Sequence, residues 1–371
     1  MKIALVVYRI GPSHGSLLQT YALYKTLQEM GHEITILDRQ RNMSLYRKIR
    51  NVAARIKNMV IHSYKGPIFY TGDYSPISMK ELNIFFKKYL ATKTFTFSKA
   101  NELERIAGMD FDCFIVGSDQ TWRPTFVYDV RYYYLNFLPD SHPARRIAYA
   151  PSFGTSEWEY SPWLEEECKD CLVKFSAVSV REDDGVDLCQ KHFGVKATHV
   201  LDPTMLLKRE DYLSLFNNSK ARKRKLLSFS VLDKSELATD IIQRISHRMN
   251  IDLYQINASH NYTVADWIEP GIDKWLGGIY QAEFVVTDSF HATVFSILMN
   301  TPFVTIVNAS RGISRIKSLL SMFGLEDRMV DSLEQVTDEK LFREIDWKKV
   351  NNRLEAERYR SLVWLKEAIE K

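Results

Sequence analysis

The chain is expected to fold as an α/β protein of two doubly wound lobes, each built on a parallel sheet, facing each other across a cleft. Three observations predict this. At 371 residues and 45% hydrophobic composition it is too long for one small core and suits two domains. Apolar runs of strand length alternate with helical patterns almost throughout, which is the rhythm of βαβ units. The strand runs are apolar on successive residues rather than alternating, as in sheets covered by helices on both faces.

In order, "KIALVVY" predicts a first strand, "RIGPSHG" a glycine-bearing turn, and "SLLQTYALYKTLQEMG" a helix with Leu23, Leu27 and Met30 on one face and a stop at Gly31. "HEITILD" is the second strand and closes a βαβ unit. Leu45, Ile49, Val52, Ile56 and Met59 then recur at helical spacing while Arg47, Lys48, Arg50, Arg55 and Lys57 fall on other faces, so 45–59 predicts a basic amphipathic helix. Such a helix either buries its stripe against the protein or lies on an anionic membrane surface. Further strand-to-helix transitions follow at "FDCFIVGSDQTW", "RIAYAPSFG" and "SAVSVREDDGVDLCQKHFG". The polar, basic "KREDYLSLFNNSKARKRK", with Asn217, Asn218 and Ser219, separates a first lobe of 1–212 from a second of 224–346. The second lobe continues through "LLSFSVL", "IDLYQIN", "EFVVTDS", a helix over 292–299, "TPFVTIV" and "ISRIKSLLSMFG". The amphipathic 347–371 predicts a last helix packing back across both lobes.

Lys plus Arg number 50 against 46 Asp plus Glu, a net charge of +4, too mild and too evenly spread for a nucleic-acid binder. The opening apolar run, Ile3 to Val7, is too short for a signal or a membrane span, so a cytoplasmic protein is expected. Cys168, Cys171, Cys189 and His192 have the spacing C-x2-C-x17-C-x2-H, which can be read as a zinc site. The charged helix and buried strand around them lack metal knuckles and favour reduced, buried thiols instead.

In parallel sheets ligands bind beyond the carboxyl ends of strands, where helix N-termini converge. Five such places carry candidates. His14 and Gly15, before the first helix, could form a backbone cradle for an anion, although G-x-G-x-x-G and G-K-[ST] are both absent. In "GSDQTW", Ser118, Asp119, Gln120 and Trp122 combine an acid, an amide and an aromatic plane, a set suited to a sugar; Asp119 could equally cap the next segment. "APSFG" is a third strand end. Arg181 closes the strand "AVSV" and would face the cleft, where a guanidinium can fork onto a carboxylate or phosphate, unless it pairs with Glu182, Asp183 or Asp184. His291, in "TDSFH", stands between a strand and a helix, beside Ser289. A lone histidine among apolar residues is usually packing, but this one sits where chemistry is done. Arg311 and Arg315 lie near a helix start rich in small residues, another natural anion site. No G-x-S-x-G, H-E-x-x-H or carboxylate cluster points to a hydrolase or a metal enzyme.

The ordered set "GSLLQTYALYKTLQEMGHEITILD", "FDCFIVGSDQTWRP", "RIAYAPSFG", "VSVREDDGVDLCQKHFG", "VLDPTMLL" and "VVTDSFHATVFSILMNTPFVTI" resembles the polysaccharide pyruvyl transferase family. The resemblance runs from the first strand to about Arg328 and implies a GT-B-like fold. It also implies phosphoenolpyruvate as donor, a sugar acceptor, a cyclic pyruvate ketal as product, and no further cofactor. Arg181 falls on the family's strand-end arginine, which holds the donor, and His291 on its second-lobe histidine. Many members read Arg-x-His there; this chain has Ser289-Phe290-His291, so Arg311 or Arg315 replaces the missing arginine or the donor differs.

Ketal formation protonates the methylene carbon, adds one sugar hydroxyl at C2 and expels phosphate as a second hydroxyl closes the ring. His291 is then the expected general acid and Asp119 the group orienting or deprotonating the acceptor. Arg181, Arg311 or Arg315, and the turn at His14-Gly15, hold the donor's two anionic groups. No metal is needed. The acceptor would belong to a capsular or exopolysaccharide repeat unit, and if it is lipid-linked, the basic helix at 45–59 would hold the enzyme at the inner membrane face. Two rival readings stand beside this one: a GT-B glycosyltransferase with a nucleotide-sugar donor in the same pathway, and a non-catalytic sugar-binding protein.

Overall fold

The computed structural model describes residues 1–40, 45–62, 76–216, 225–233, 235–259, 265–308 and 312–371. In the first lobe the elements are β1 (Lys2–Val6), α1 (His14–Glu29), β2 (Glu33–Arg39), α2 (Leu45–His62), α3 (Leu82–Tyr89), β3 (Thr94–Phe97), α4 (Asn101–Ala107), β4 (Cys113–Val116), β5 (Arg145–Ala148), α5 (Pro162–Leu172), β6 (Ala177–Val180), α6 (Asp183–Leu188), β7 (Thr198–His199) and α7 (Arg209–Leu213). The second lobe holds β8 (Leu226–Ser230), α8 (Glu236–Met249), β9 (Asp252–Gln255), α9 (Ile272–Gln281), β10 (Phe284–Thr287), α10 (Phe290–Met299), β11 (Phe303–Ile306), α11 (Ile313–Phe323), β12 (Met329–Val330) and α12 (Asp338–Phe342). A long helix, α13 (Trp347–Glu370), follows.

The first sheet has the order β3-β2-β1-β4-β5-β6-β7 and the second β12-β11-β10-β8-β9, and every pairing is parallel. The first is the Rossmann order with an added edge strand. Read from β9, the second is the flavodoxin-like order 2-1-3-4-5. Strand order therefore reverses between β1 and β4 in one lobe and between β8 and β10 in the other. Those two reversal points are where parallel sheets leave a crevice open for ligands. The central strands β1, β4, β10 and β11 are almost wholly buried, as their unbroken apolar runs require. Sequence reasoning overlooked β3 and β12, which are short edge strands with little apolar signal.

Three apolar cores form among the described residues, and the largest is shared: Leu18, Leu23 and Tyr149 of the first lobe join Phe295, Leu298 and Phe303 of the second. Helix α13 packs on α11 and on β5. Its Ser361 hydroxyl accepts the Leu201 backbone N–H at 3.0 Å, and its Arg358 Nε donates to the Met205 carbonyl at 2.8 Å.

On this scaffold three of the four cysteines are buried and none is in a disulfide, as expected. The Cys168, Cys171, Cys189 and His192 spacing does not assemble: among the described residues no three His, Cys, Asp or Glu side chains could hold a metal. His192 instead stacks on Trp158 at 3.8 Å, and burial pushes the Cys168 and Cys189 thiols well up. On α2, Ile49, Ile56 and Met59 are exposed, so its stripe faces outward rather than into a core. The side chains of Leu45, Arg47 and Lys48, and the boundary residues Asn217 to Ser219, lie outside the described residues.

Candidate active site

Both reversal points open onto one cavity of about 300 Å³. Tyr8 and Arg9 follow β1, Asp119 and Gln120 follow β4, Ser230 and Leu232 end and follow β8, and Asp288 to His291 follow β10; all line it. His14 and Gly15 of α1, Glu269, Trp275 of α9 and Arg315 of α11 complete the wall.

At its base stands a residue that sequence reasoning quoted in "HVLDPTMLL" but did not single out. Asp202 follows β7 and caps a short turn at Pro203 to Met205, its Oδ1 accepting from the Thr204 N–H at 3.0 Å and hydroxyl at 2.6 Å. Its Oδ2 accepts from Gln19 Nε2 at 2.7 Å and Arg181 Nη1 at 3.0 Å, with Ser118 Oγ at 3.5 Å. His291 Nε2 lies 3.7 Å from the same oxygen, beyond hydrogen-bond distance. Burial alone pushes this carboxyl up; His291, Arg181 and Thr204 overcome it and hold the group far below the ordinary carboxylate range. An Asp before Pro at a strand end was the available signal.

Arg181 ends β6 as expected, but it does not face open solvent. It is 4% exposed and lies beneath two cavity-lining residues, with Nη2 3.8 Å from Asp119 Oδ1 and Cζ 4.5 Å from the Phe290 ring centre. The reason is Asp202, which draws Nη1 inward. Nε and Nη2 are buried and have no hydrogen-bond partner among the described residues. Arg315 lines the cavity, its Cζ 5.4 Å from the same Phe290 ring; burial and then Arg181 push its guanidinium down to about 9, so it is charged at neutral pH. Arg311 lies outside the described residues.

His291 sits in the first turn of α10, whose N-cap is Ser289; the Ser289 hydroxyl accepts the Ala292 N–H at 3.5 Å. The His291 ring lies against α1 at Gly15, where a Cβ would fall 2.1 Å from Nδ1. Gly15 thus permits a close approach of the two lobes while also lining the cavity. Next to it, His14 Nε2 donates to the Pro270 carbonyl at 2.8 Å and its ring stacks on Trp275, a link from the first lobe to the second. Burial pushes His14 down to about 4, against the Pro270 bond, so it is neutral with its proton on Nε2.

The "GSDQTW" group divides. Asp119 lines the cavity at φ 88°, a left-handed conformation uncommon for a residue with a side chain and typical of functional strain. Gln120 lines it too, its Oε1 held by Arg123 Nη1 at 3.1 Å. Ser118 points to Gln19 and Asp202. Trp122 is fully buried, stacked on Tyr134 with Nε1 donating to the Tyr133 carbonyl, so it offers no face to a sugar: the apolar ring is worth more in the core. Glu269, not singled out from sequence, accepts the Ala258 N–H at 3.0 Å in the cavity wall, and burial pushes it up to about 7.

Residues 14–310 match the family model for polysaccharide pyruvyl transferase. No protein of curated function matches the chain. Among solved structures it is similar to a putative UDP-N-acetylglucosamine 2-epimerase from Listeria monocytogenes (10% identity, TM-score 0.57, covering 100% of this chain and 96% of that one). It is also similar to Arabidopsis thaliana UGT89C1 complexed with UDP-L-rhamnose (9%, 0.54, 100% and 98%) and to S. aureus MnaA in a UDP co-structure (11%, 0.51, 92% and 89%). At such identities the likeness is one of fold, a GT-B-like pair of parallel α/β lobes.

Two outcomes follow from this geometry. Gly15→Ala should destabilise the protein in urea melts: alanine favours a helix over glycine by about 1 kcal/mol, but overpacking on His291 costs about 1–3 kcal/mol. A stabilised variant would show that α1 and His291 do not meet this closely. Because the folded His14 pKa lies below its unfolded value near 6.5, the unfolded chain binds the extra proton and stability drains away as pH falls from 6.5 to about 4. Glu269, raised in the fold, has the opposite slope between its unfolded value near 4.5 and about 7. The His14 part is therefore read as the difference in melting temperature between wild type and His14→Phe, which should shrink across that window.

Proposed function

The chain belongs to the polysaccharide pyruvyl transferase family, and from that premise we propose that it transfers the pyruvyl group of phosphoenolpyruvate to a sugar of a capsular or exopolysaccharide repeat unit, as a cyclic ketal. The observation that carries this reading is the pair of guanidiniums at Phe290, Arg181 with two buried donors that no described residue hydrogen-bonds and Arg315 in the cavity wall. Unpaired buried donors are costly, and a ligand with two anionic groups satisfies them. Arg315 takes the place of the arginine that Ser289 replaces.

In this reading the second lobe presents the donor, with Arg181 of the first lobe completing its site, and the first lobe presents the acceptor. His291, facing the Asp202 carboxylate, holds a proton and delivers it to the methylene carbon. Asp202 stabilises the charged imidazole and is a positioning residue. Asp119 takes the proton of the first hydroxyl as its oxygen bonds to C2; the second hydroxyl then closes the ring, the C2–O bond to phosphate breaks, and its proton leaves with phosphate.

The test is incubation with phosphoenolpyruvate and a glycan panel, following phosphate release and the carboxyethylidene mass gain. His291→Ala should lower kcat by about a hundred- to ten-thousand-fold with the fold intact, and Arg315→Ala should raise KM for phosphoenolpyruvate. Near-wild-type turnover in His291→Ala ends the assignment. Ser289 at the family's arginine position also supports a second reading, a nucleotide-sugar donor, and the structural relatives solved with UDP and UDP-L-rhamnose share the fold. Thermal shifts that respond to UDP-sugars but not to phosphoenolpyruvate would favour it.

The exposed Ile49, Ile56 and Met59 on α2, beside exposed Arg50 and Lys57, support docking on an anionic membrane at the cytoplasmic face, where a lipid-linked acceptor is available. No helix among the described residues is long and apolar enough to cross a membrane. Vesicles containing anionic lipid should co-sediment the protein, and the double variant Ile56→Asp with Met59→Asp should stay in the supernatant. Sedimentation indifferent to lipid charge removes this function of α2.

A further inference from the structure

A second cavity, of about 380 Å³, adjoins the first and shares Tyr8, Arg9 and Phe126 with it. Tyr8 and Phe126 stack at 5.4 Å and 26° on the boundary between the two. The wall beyond them mixes ring faces with polar edges. Tyr128 is 74% exposed; Arg39 reaches Asp129 Oδ2 at 3.4 Å and lies 4.8 Å over the Tyr132 ring; Gln40 is held by Asp38. The Tyr132 hydroxyl is buried in this wall, the residue 1% exposed, with no hydrogen-bond partner among the described residues. Buried hydroxyls are nearly always paired, and no described residue pairs this one.

We propose that this cavity is an acceptor subsite for the sugar adjoining the one that reacts, so that the acceptor is an oligosaccharide of at least two residues rather than a single activated sugar. This rests on the acceptor reading above. A pyranose has C–H faces and a rim of hydroxyls that both donate and accept, and it calls for aromatic planes beside fixed amide, guanidinium and carboxylate edges. Arg9, Arg39 and Gln40 offer donors to those hydroxyls and Asp129 an acceptor. Both cavities fall in the size range of small-ligand sites, and their shared wall gives a continuous path for a linked pair of sugars.

The test reads binding without any donor. A printed array of mono-, di- and trisaccharides of galactose, glucose, mannose and N-acetylhexosamines is probed with wild type and with the Tyr128→Ala, Tyr132→Phe double variant. Tyr132→Phe keeps the buried ring, and neither tyrosine lines the cavity assigned to catalysis. Wild type should bind at least one di- or trisaccharide about tenfold more tightly than its terminal monosaccharide, and the variant should lose that gain while binding phosphoenolpyruvate as wild type does. Length-independent binding by wild type or an unchanged length gain in the variant each overturns the subsite. Failure of phosphoenolpyruvate to release phosphate instead sinks only the donor reading, because the array measurement does not involve it.

Discussion

The site depends on one buried carboxylate. Asp202 is 3% exposed, and an isolated charge there would be prohibitive; it is tolerable because four first-lobe residues converge on it. Gln19 comes from α1, Ser118 from the end of β4, Arg181 from the end of β6, and Thr204 from the turn Asp202 itself caps. Each of these bonds fixes a strand end or helix relative to the others. The second lobe enters through His291, whose Nε2 faces the same oxygen. Deleting the carboxylate would leave the buried Arg181 with only its longer contact to Asp119, the more damaging way to break such a pair.

Around that centre the lobes meet more closely than ordinary side chains permit. Gly15 admits the His291 ring, and Gly312, at φ 83°, approaches Gly154 so nearly that a Cβ would fall 1.8 Å from its carbonyl oxygen. The Gly312 backbone needs glycine twice over, for its left-handed conformation and for space. Together with the His14 bond to Pro270, these contacts tie the spacing of the lobes to residues beside the site, where proton transfer depends on geometry.

What the sequence revealed and what it hid divide along a physical line. Periodicity is local, so the parallel sheets, the turn after β1 and the placement of His291 at a strand end could all be read directly. The ordered motifs located Arg181 and His291, but not that Arg181 would be drawn beneath Phe290, because that depends on Asp202 twenty-one residues away meeting it across the sheet. Asp202 itself looked like a turn residue, since only the fold assembles its partners from positions 19, 118, 181 and 204. Trp122 misled for a related reason: an aromatic after a strand end looks available until Tyr134 is seen to cover it. The stripe on α2 was visible, but periodicity reports a face and not what covers it.

Helix α13 begins on the second lobe and finishes on the first, where Arg145 Nη1 donates to the Ile369 carbonyl at 3.2 Å and Leu365 is fully buried in the shared core. The two sheets are therefore not interchangeable modules. A chimera that exchanged one lobe for that of a relative, to graft a new donor preference onto an old acceptor, would inherit a last helix whose two halves were selected against different neighbours. Recombination in this architecture has to carry α13 and both of its seats as one inherited block.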